Sequence, residues 1–156
     1  MRRGGSIDAR RRLLARGALL LGALGAHRLP HARTARNESS SLPRIDDLRE
    51  LAARIRGERI PLLLFFSTPG CPYCIEVRRN YLAPRLVEDA DRLLIREVEI
   101  NSSRGLTGLD GGRLTEAELA ARFKVRMVPV VQLVGADLSR LGKPLVGIDA
   151  AGFYES

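Results

Sequence analysis

The pattern of residues 43–156 predicts an α/β fold in which a mixed central sheet is flanked by helices. Three observations carry that prediction. Helical and strand signals alternate in the order α-β-α-β-α-β-β. Leu62-Leu63-Leu64-Phe65-Phe66 is a continuous apolar run too short for an independent helix, so it reads as a strand buried on both faces, central in its sheet and parallel to a neighbour. Two strand signals then follow one another near the end with no helix between them, which makes the sheet mixed.

Each element has a local reason. Asp46 or Asp47 is placed to cap a first helix, with Glu50 completing a capping box behind Asp47. Leu48, Leu51, Ala52 and Ile55 share one helical face, and Gly57 is the expected stop. Pro61 precedes the buried strand, and Ser67-Thr68-Pro69-Gly70 turns the chain. A second helix is expected from Cys71-Pro72 through Tyr73, Val77 and Tyr81, with Pro84 kinking or ending it. Leu93–Ile100 reads as the next strand. Residues 102–113 contain Gly105, Gly108, Gly111 and Gly112 and read as a surface loop or a small hairpin. Thr115 and Glu118 form a capping box that opens a short helix through Leu119 and Phe123. Val128–Val134 is a third strand, Gly135–Pro144 a turn and Leu145–Ile148 an edge strand. No internal repeat is present.

A chain of 156 residues with a formal charge of +8 first suggests a polyanion partner. The charge is not evenly spread. Residues 1–42 hold nine Arg against Asp8 and Glu38, a net of +7, whereas residues 43–156 hold 17 Lys and Arg against 16 Asp and Glu, a net of +1. The basic character therefore belongs to the leader, and no nucleic-acid partner is expected for the rest. With no Trp and 4% aromatics, stacking platforms for single strands are poorly supplied. Both histidines, His27 and His31, also lie in the first quarter, which argues against Cys-His hydrolases and His-ligated zinc in the globular part.

The leader itself has the anatomy of an export signal. Arg10-Arg11-Arg12 precedes Leu13-Leu14, and Ala18–Ala26 is uncharged and apolar. That run is far short of the roughly 20 residues a stable membrane span needs. Residues 1–26 are thus expected to be a signal peptide and 27–42 a solvated linker, with 43–156 as the exported domain and no membrane span after processing. Ala9-Arg10-Arg11-Arg12-Leu13-Leu14 fits a twin-arginine signal, with the general secretory route open beside it; a disordered basic tail is the bland alternative.

Two cysteines, Cys71 and Cys74, exclude a multi-disulfide scaffold. They stand where the buried strand turns into the second helix. At a helix N-cap, unpaired backbone N–H groups and the helix dipole favour an anion, so the Cys71 thiol is expected to ionise more readily than a free one. Pro72 at the first helical position loses nothing by lacking an N–H. Cys74, one turn later, is expected to be the more buried partner. In this arrangement Cys71 is the nucleophile and Cys74 resolves the mixed disulfide. The competing readings are weaker: a two-residue spacer closes too small a loop to stabilise much, and two thiolates with no other Cys or His nearby are too few for a metal.

Phe65–Cys74 together with Val125-Arg126-Met127-Val128-Pro129 resembles the thioredoxin superfamily over roughly residues 45–150, and among its members the exported thioredoxin-like proteins of bacteria, including those of sulfur-oxidation clusters. The resemblance implies a thioredoxin-like fold and a cis bond before Pro129, against a trans Pro at a strand start. It also implies that Val128 lies beside the thiols and pairs its backbone with an extended substrate segment, so that Val128 and Pro129 are substrate-binding residues. Pro84 matches the family's kinked helix. Pro72 and Tyr73 tune the redox couple, which is expected to be less reducing than one with Gly-Pro between the cysteines. No cofactor or metal is implied.

Departures from the family's pattern narrow the reading. Gly70 stands where Trp is usual. Phe65 occupies the place of a buried Asp, leaving Glu97 and Glu99 as carboxylates that could stand in, although a solvated strand face is the preferred reading of both; Glu76 reads as a helix-surface residue. Pro-Tyr is the glutaredoxin pair, but Val134-Gly135-Ala136-Asp137-Leu138 lacks the Gly-Gly-x-Asp glutathione element. The family's last helix should begin near Ala151, so it is expected to be short or missing, with one sheet face under-covered. The resulting expectation is a periplasmic thiol-disulfide oxidoreductase acting on protein thiols and disulfides, as a reductase fed by a membrane electron donor. The alternative is a redox-silent binding or assembly module on the same fold.

Overall fold

The computed structural model describes residues 41–147. The expected signal peptide, most of the linker and the question of the last helix lie outside the described residues. The apolar run forms strand β1, Leu62–Ser67, all six residues buried. It lies between two partners. β2, Leu94–Glu99, runs parallel to it, with Phe65 opposite Glu97. β5, Val130–Val134, runs antiparallel on the other side, and the two-residue edge strand β6, Leu145–Val146, completes the order β2-β1-β5-β6. This is the mixed sheet that the element order predicts. The glycine-containing stretch is a hairpin, β3 (Gly105–Thr107) with β4 (Arg113–Thr115).

Alternation along β1 divides the core in two. Leu62, Leu64 and Phe66 face one helical layer, packing with Leu48, Leu51 and Ile55 of the helix Leu48–Glu58 and with Leu119 and Phe123 at the helix Glu116–Arg122. Leu63 and Phe65 face the other, packing with Cys74, Val77 and Leu82. Cys74 therefore sits over the second face of the central strand, with Cys71 packed against the same cluster.

Helix α1, Leu48–Glu58, buries the four residues its periodicity singles out. Its cap is Asp47, which accepts the Arg49 N–H at 2.7 Å. The Arg49 guanidinium also donates to that carboxylate, and the reciprocal bond expected from the Asp47 N–H to the Glu50 carboxylate does not form. Gly57 does not end the helix. It lies inside it, and Arg59 makes the left-handed turn at φ 57° that brings Ile60 into the core.

Helix α2, Pro72–Glu76, does not stop at Pro84 either. The chain widens into π-helical turns over Val77–Leu82 and resumes as α3, Ala83–Glu88. Proline lacks the N–H that would close a normal turn. Wider turns absorb that defect: the Ala83 N–H bonds to the Arg78 carbonyl, five residues back, and Pro84 falls in the first turn of the renewed helix. Helix α4, Glu116–Arg122, opens with the full reciprocal box of Thr115 and Glu118. Hydrogen bonds from the Thr115 N–H and hydroxyl hold the Glu118 carboxyl below the usual carboxylate range. Thr115→Ala is expected to lower stability by about 1 kcal/mol, readable as a drop in the urea midpoint at unchanged slope.

Residues 43–47 run along the outer edge of β2. The Glu97 N–H bonds to the Pro43 carbonyl, and Arg44 bridges to Glu97 in parallel register. Ion pairs fasten this segment. The fully buried Glu116 accepts from Arg44 Nε at 2.8 Å and lies 3.4 Å from Arg104, while Arg44 also reaches Glu99 at 2.8 Å. Partial burial opposes the Arg44 charge, but the hydrogen bonds and charges of Glu116 and Glu99 outweigh it and raise its pKa.

Candidate active site

The site begins where β1 ends. Thr68-Pro69-Gly70 reverses the chain, with the Cys71 N–H reaching the Thr68 carbonyl. Gly70 has φ +75°, a left-handed conformation that a side chain would strain. The glycine in place of the family's usual Trp thus has a backbone reason.

Cys71 is the N-cap of α2 and Pro72 is in its first turn, as the sequence predicts. The Cys74 N–H donates to Cys71 Sγ at 3.1 Å. The two sulfurs are joined in a disulfide, with Cα atoms 5.2 Å apart. Their environments differ sharply: Cys71 is half-buried, while Cys74 is 0% exposed. Pro72 and Tyr73 lie on the surface beside them, Tyr73 at 59% exposure. The Val128–Pro129 bond is cis, as the resemblance implies. Val128 is half-buried and packs against the cluster that contains both cysteines. Cys71, Cys74 and Val128 are therefore brought together, with Pro72 and Tyr73 on the rim. Strand β5 starts at Val130, two residues later than the sequence suggests, because the cis turn occupies Val128-Pro129.

One feature of the site departs from expectation. Glu97 does not lie on a solvated strand face; it is 5% exposed. It stands opposite Phe65 in the β1–β2 register, on the sheet face that carries Cys74. Its carboxylate accepts from Arg78 Nε at 3.1 Å, from a second Arg78 nitrogen and from the hydroxyl of the fully buried Ser67. The Arg78 guanidinium also lies 5.7 Å from the Phe65 ring centroid. Burial follows from packing that single-strand alternation does not report: the helical run covers one side of β2, and residues 43–45 cover its edge. Glu99 is only partly buried and pairs with Arg44 instead. Glu76 is exposed. The sequence places Ser67 in the turn, whereas it is the last, buried residue of β1, and nothing local marks Arg78; the available signal is the i, i+2 pair Glu97 and Glu99 on a strand beside a fully apolar one.

Among the described residues, no group of three or more His, Cys, Asp or Glu is arranged to hold a metal ion, and no helix is long and apolar enough to cross a membrane.

The family described as thioredoxin-like domain matches residues 48–147. The chain belongs to the thioredoxin-like domain family. That match spans β1 through β6, so the thioredoxin-like domain includes the cysteine pair, the cis-proline turn and the Glu97 cluster. No curated protein matches the chain in sequence. Among solved structures the domain is similar to a thioredoxin-fold protein from Helicobacter pylori, at 19% identity and a TM-score of 0.49, covering 61% of this chain and 65% of that one. The chain thus spans just under two thirds of the length of that relative. It is similar also to the C-terminal domain of Neisseria meningitidis DsbD in its oxidised form, at 22% identity and a TM-score of 0.48, covering 72% of this chain and 94% of that one. A DsbH oxidoreductase is similar at 16% identity and a TM-score of 0.49, with 78% and 85% covered.

Proposed function

We propose that this thioredoxin-like domain is an exported thiol-disulfide oxidoreductase that works as a reductase on protein disulfides. The observation that carries the reading is the asymmetry of the pair: a half-buried Cys71 at a helix N-cap, bonded to a fully buried Cys74. In the reduced form the Cys74 N–H that meets Cys71 Sγ, together with the helix start, favours its thiolate. That thiolate attacks one sulfur of a substrate disulfide. A mixed disulfide forms and the other substrate sulfur leaves as a thiolate. Cys74, deprotonated, then attacks Cys71 Sγ. The Cys71–Cys74 bond closes, the second substrate thiolate leaves, and two electrons have passed to the substrate. Val128 and Pro129 hold the extended substrate segment beside Cys71, and Pro72 and Tyr73 set the poise of the couple.

The basic, apolar leader at 1–26 supports delivery to the periplasm, and with it a membrane electron donor that returns the pair to the dithiol. The resemblance of Phe65–Cys74 and Val125–Pro129 to exported thioredoxin-like proteins, including those of sulfur-oxidation clusters, supports this reading. The deciding measurement is the Cys71–Cys74 reduction potential against a glutathione or dithiothreitol series. A value near about −270 mV is expected for a reductase, whereas one near about −120 mV would make the protein an oxidant.

A further inference from the structure

The described domain keeps its charges unevenly. A groove of about 360 Å³ opens between the end of α4 and the β5–β6 edge. The buried Phe66 and Val130 lie beneath it, and its apolar surface comes from Met127 and Val146, with 64% and 54% exposure. Three cations line it, Lys124, Arg126 and Arg140, and no acidic residue does. None of the three forms an ion pair with a carboxylate among the described residues. Yet residues 43–156 as a whole are nearly balanced, with 17 bases and 16 acids. The groove is held in shape from below and from one side. Gln132 donates to the Leu133 and Gly142 carbonyls at 2.9 Å each, and Arg140 donates to the Phe123 carbonyl at 2.6 Å.

Position gives the groove its meaning. Arg126 and Met127 directly precede the cis pair Val128-Pro129, and Val128 packs against the disulfide cluster. An extended segment advances about 3.3 Å per residue. The groove lies on the sheet face of Phe66 and Val130, opposite the one that carries Cys74, and Val128 packs against both; a substrate strand whose cysteine meets Cys71 alongside Val128 reaches it by continuing over the cis turn, past Arg126 and Met127. We propose that this groove selects substrates by an acidic segment beside the reactive cysteine: carboxylates meet Lys124, Arg126 and Arg140, and an intervening apolar side chain packs against Met127 and Val146. The inference rests on the disulfide-exchange reading and adds the substrate class to it. A nucleic acid suits the site less well. Phe66 and Phe123 are buried and offer no stacking face, and the groove holds a side chain or two rather than a backbone track.

The test uses the full chain and two ten-residue peptides, each with one cysteine capped as a mixed disulfide with thionitrobenzoate. One carries Glu-Leu-Glu beside the cysteine and the other Gln-Leu-Gln. Release of thionitrobenzoate by the reduced protein is expected to be about tenfold faster for the acidic peptide at low salt, with the preference fading at high salt. The double change Lys124→Asn with Arg126→Gln is expected to bring the two rates within about twofold while leaving the neutral peptide unaffected; Asn tolerates the left-handed φ of 55° at position 124. In parallel, a cysteine-free acidic peptide added to the oxidised protein is expected to shift the amide resonances of Val125, Met127, Val130 and Val146. Equal rates for the two peptides, a preference that survives the double change, or tighter binding of a twelve-residue oligothymidylate at these amides overturns the proposal. Failure of both peptides to react, with the shifts still centred on the groove, would remove the exchange reading and leave the acidic-segment site standing.

Discussion

Cys71→Ser is expected to abolish disulfide exchange, on the order of a 10⁴-fold loss or more, as removal of a covalent nucleophile does elsewhere. The change isolates chemistry from folding. Serine is itself a good N-cap, so the Cys74 N–H that meets Cys71 Sγ finds an oxygen in its place and α2 keeps its start. Cys71 is also half-buried, so the hydroxyl keeps access to water. An unchanged far-ultraviolet spectrum with no insulin or peptide-disulfide reduction is the expected pair of results. Retained partner function in Cys71→Ser would instead support a redox-silent binding module. The companion change should be Cys74→Ala rather than serine, because Cys74 is fully buried among Phe65, Val77 and Leu82, where a hydroxyl would go unpaired. With Cys71 intact and no resolving thiol, mixed disulfides with substrate proteins should accumulate and resist release until an external thiol is added. Mass spectrometry of the trapped species identifies the substrates and reads the acidic-segment preference directly.

The second large effect is on stability. Glu97→Ala is expected to cost about 3 kcal/mol, the lower end of what breaking a buried ion pair costs, because the Arg78 side chain is 20% exposed and regains some water. Ser67 enjoys no such relief: its hydroxyl is fully buried and donates to the same carboxylate. For a domain of ordinary stability, about 5–15 kcal/mol, this is a large fraction, and a urea titration followed by circular dichroism should show a clearly lower midpoint. The double change Arg78→Met with Glu97→Leu should recover part of the loss, since an apolar pair needs no desolvation compensated, and adding Ser67→Ala, which removes the hydroxyl left without its acceptor, should recover most of it. A single Glu97→Ala midpoint within about 0.5 kcal/mol of the parent would show that the cluster is not the buried pair described.

Much of this arrangement was legible in the chain. The run Leu62–Phe66 could be read as a central strand because five apolar residues in a row leave no face for water, and the structure buries all of them. The Thr115–Glu118 box could be read because its two partners are three residues apart and need nothing else. Cys71-Pro72-Tyr73-Cys74 could be placed at a helix start for the same local reason. The misreadings were those in which a local signal competes with a distant one. Gly57 looks like a stop, but helix α1 continues for one residue to keep Ile55 and then Ile60 against the sheet. Pro84 reads as a kink or an end, and only the end fails: the cost of its missing N–H is absorbed by widening the helix beneath it. Glu97 looks solvated, because alternation reports which residues share a face and not what covers that face.

The amino-acid order by itself determined the elements, their sequence along the chain and the two thiols at a strand-to-helix turn, all of which depend on contacts within a few residues. The tertiary structure alone decided the rest. It set the parallel register that places Glu97 opposite Phe65, the side of the sheet over which Cys74 is sealed from water, and the meeting of Lys124, Arg126 and Arg140 around one groove beside the cis turn. These depend on which surfaces meet across tens of residues. Burial and charge acquire their chemical meaning only when those surfaces are brought together.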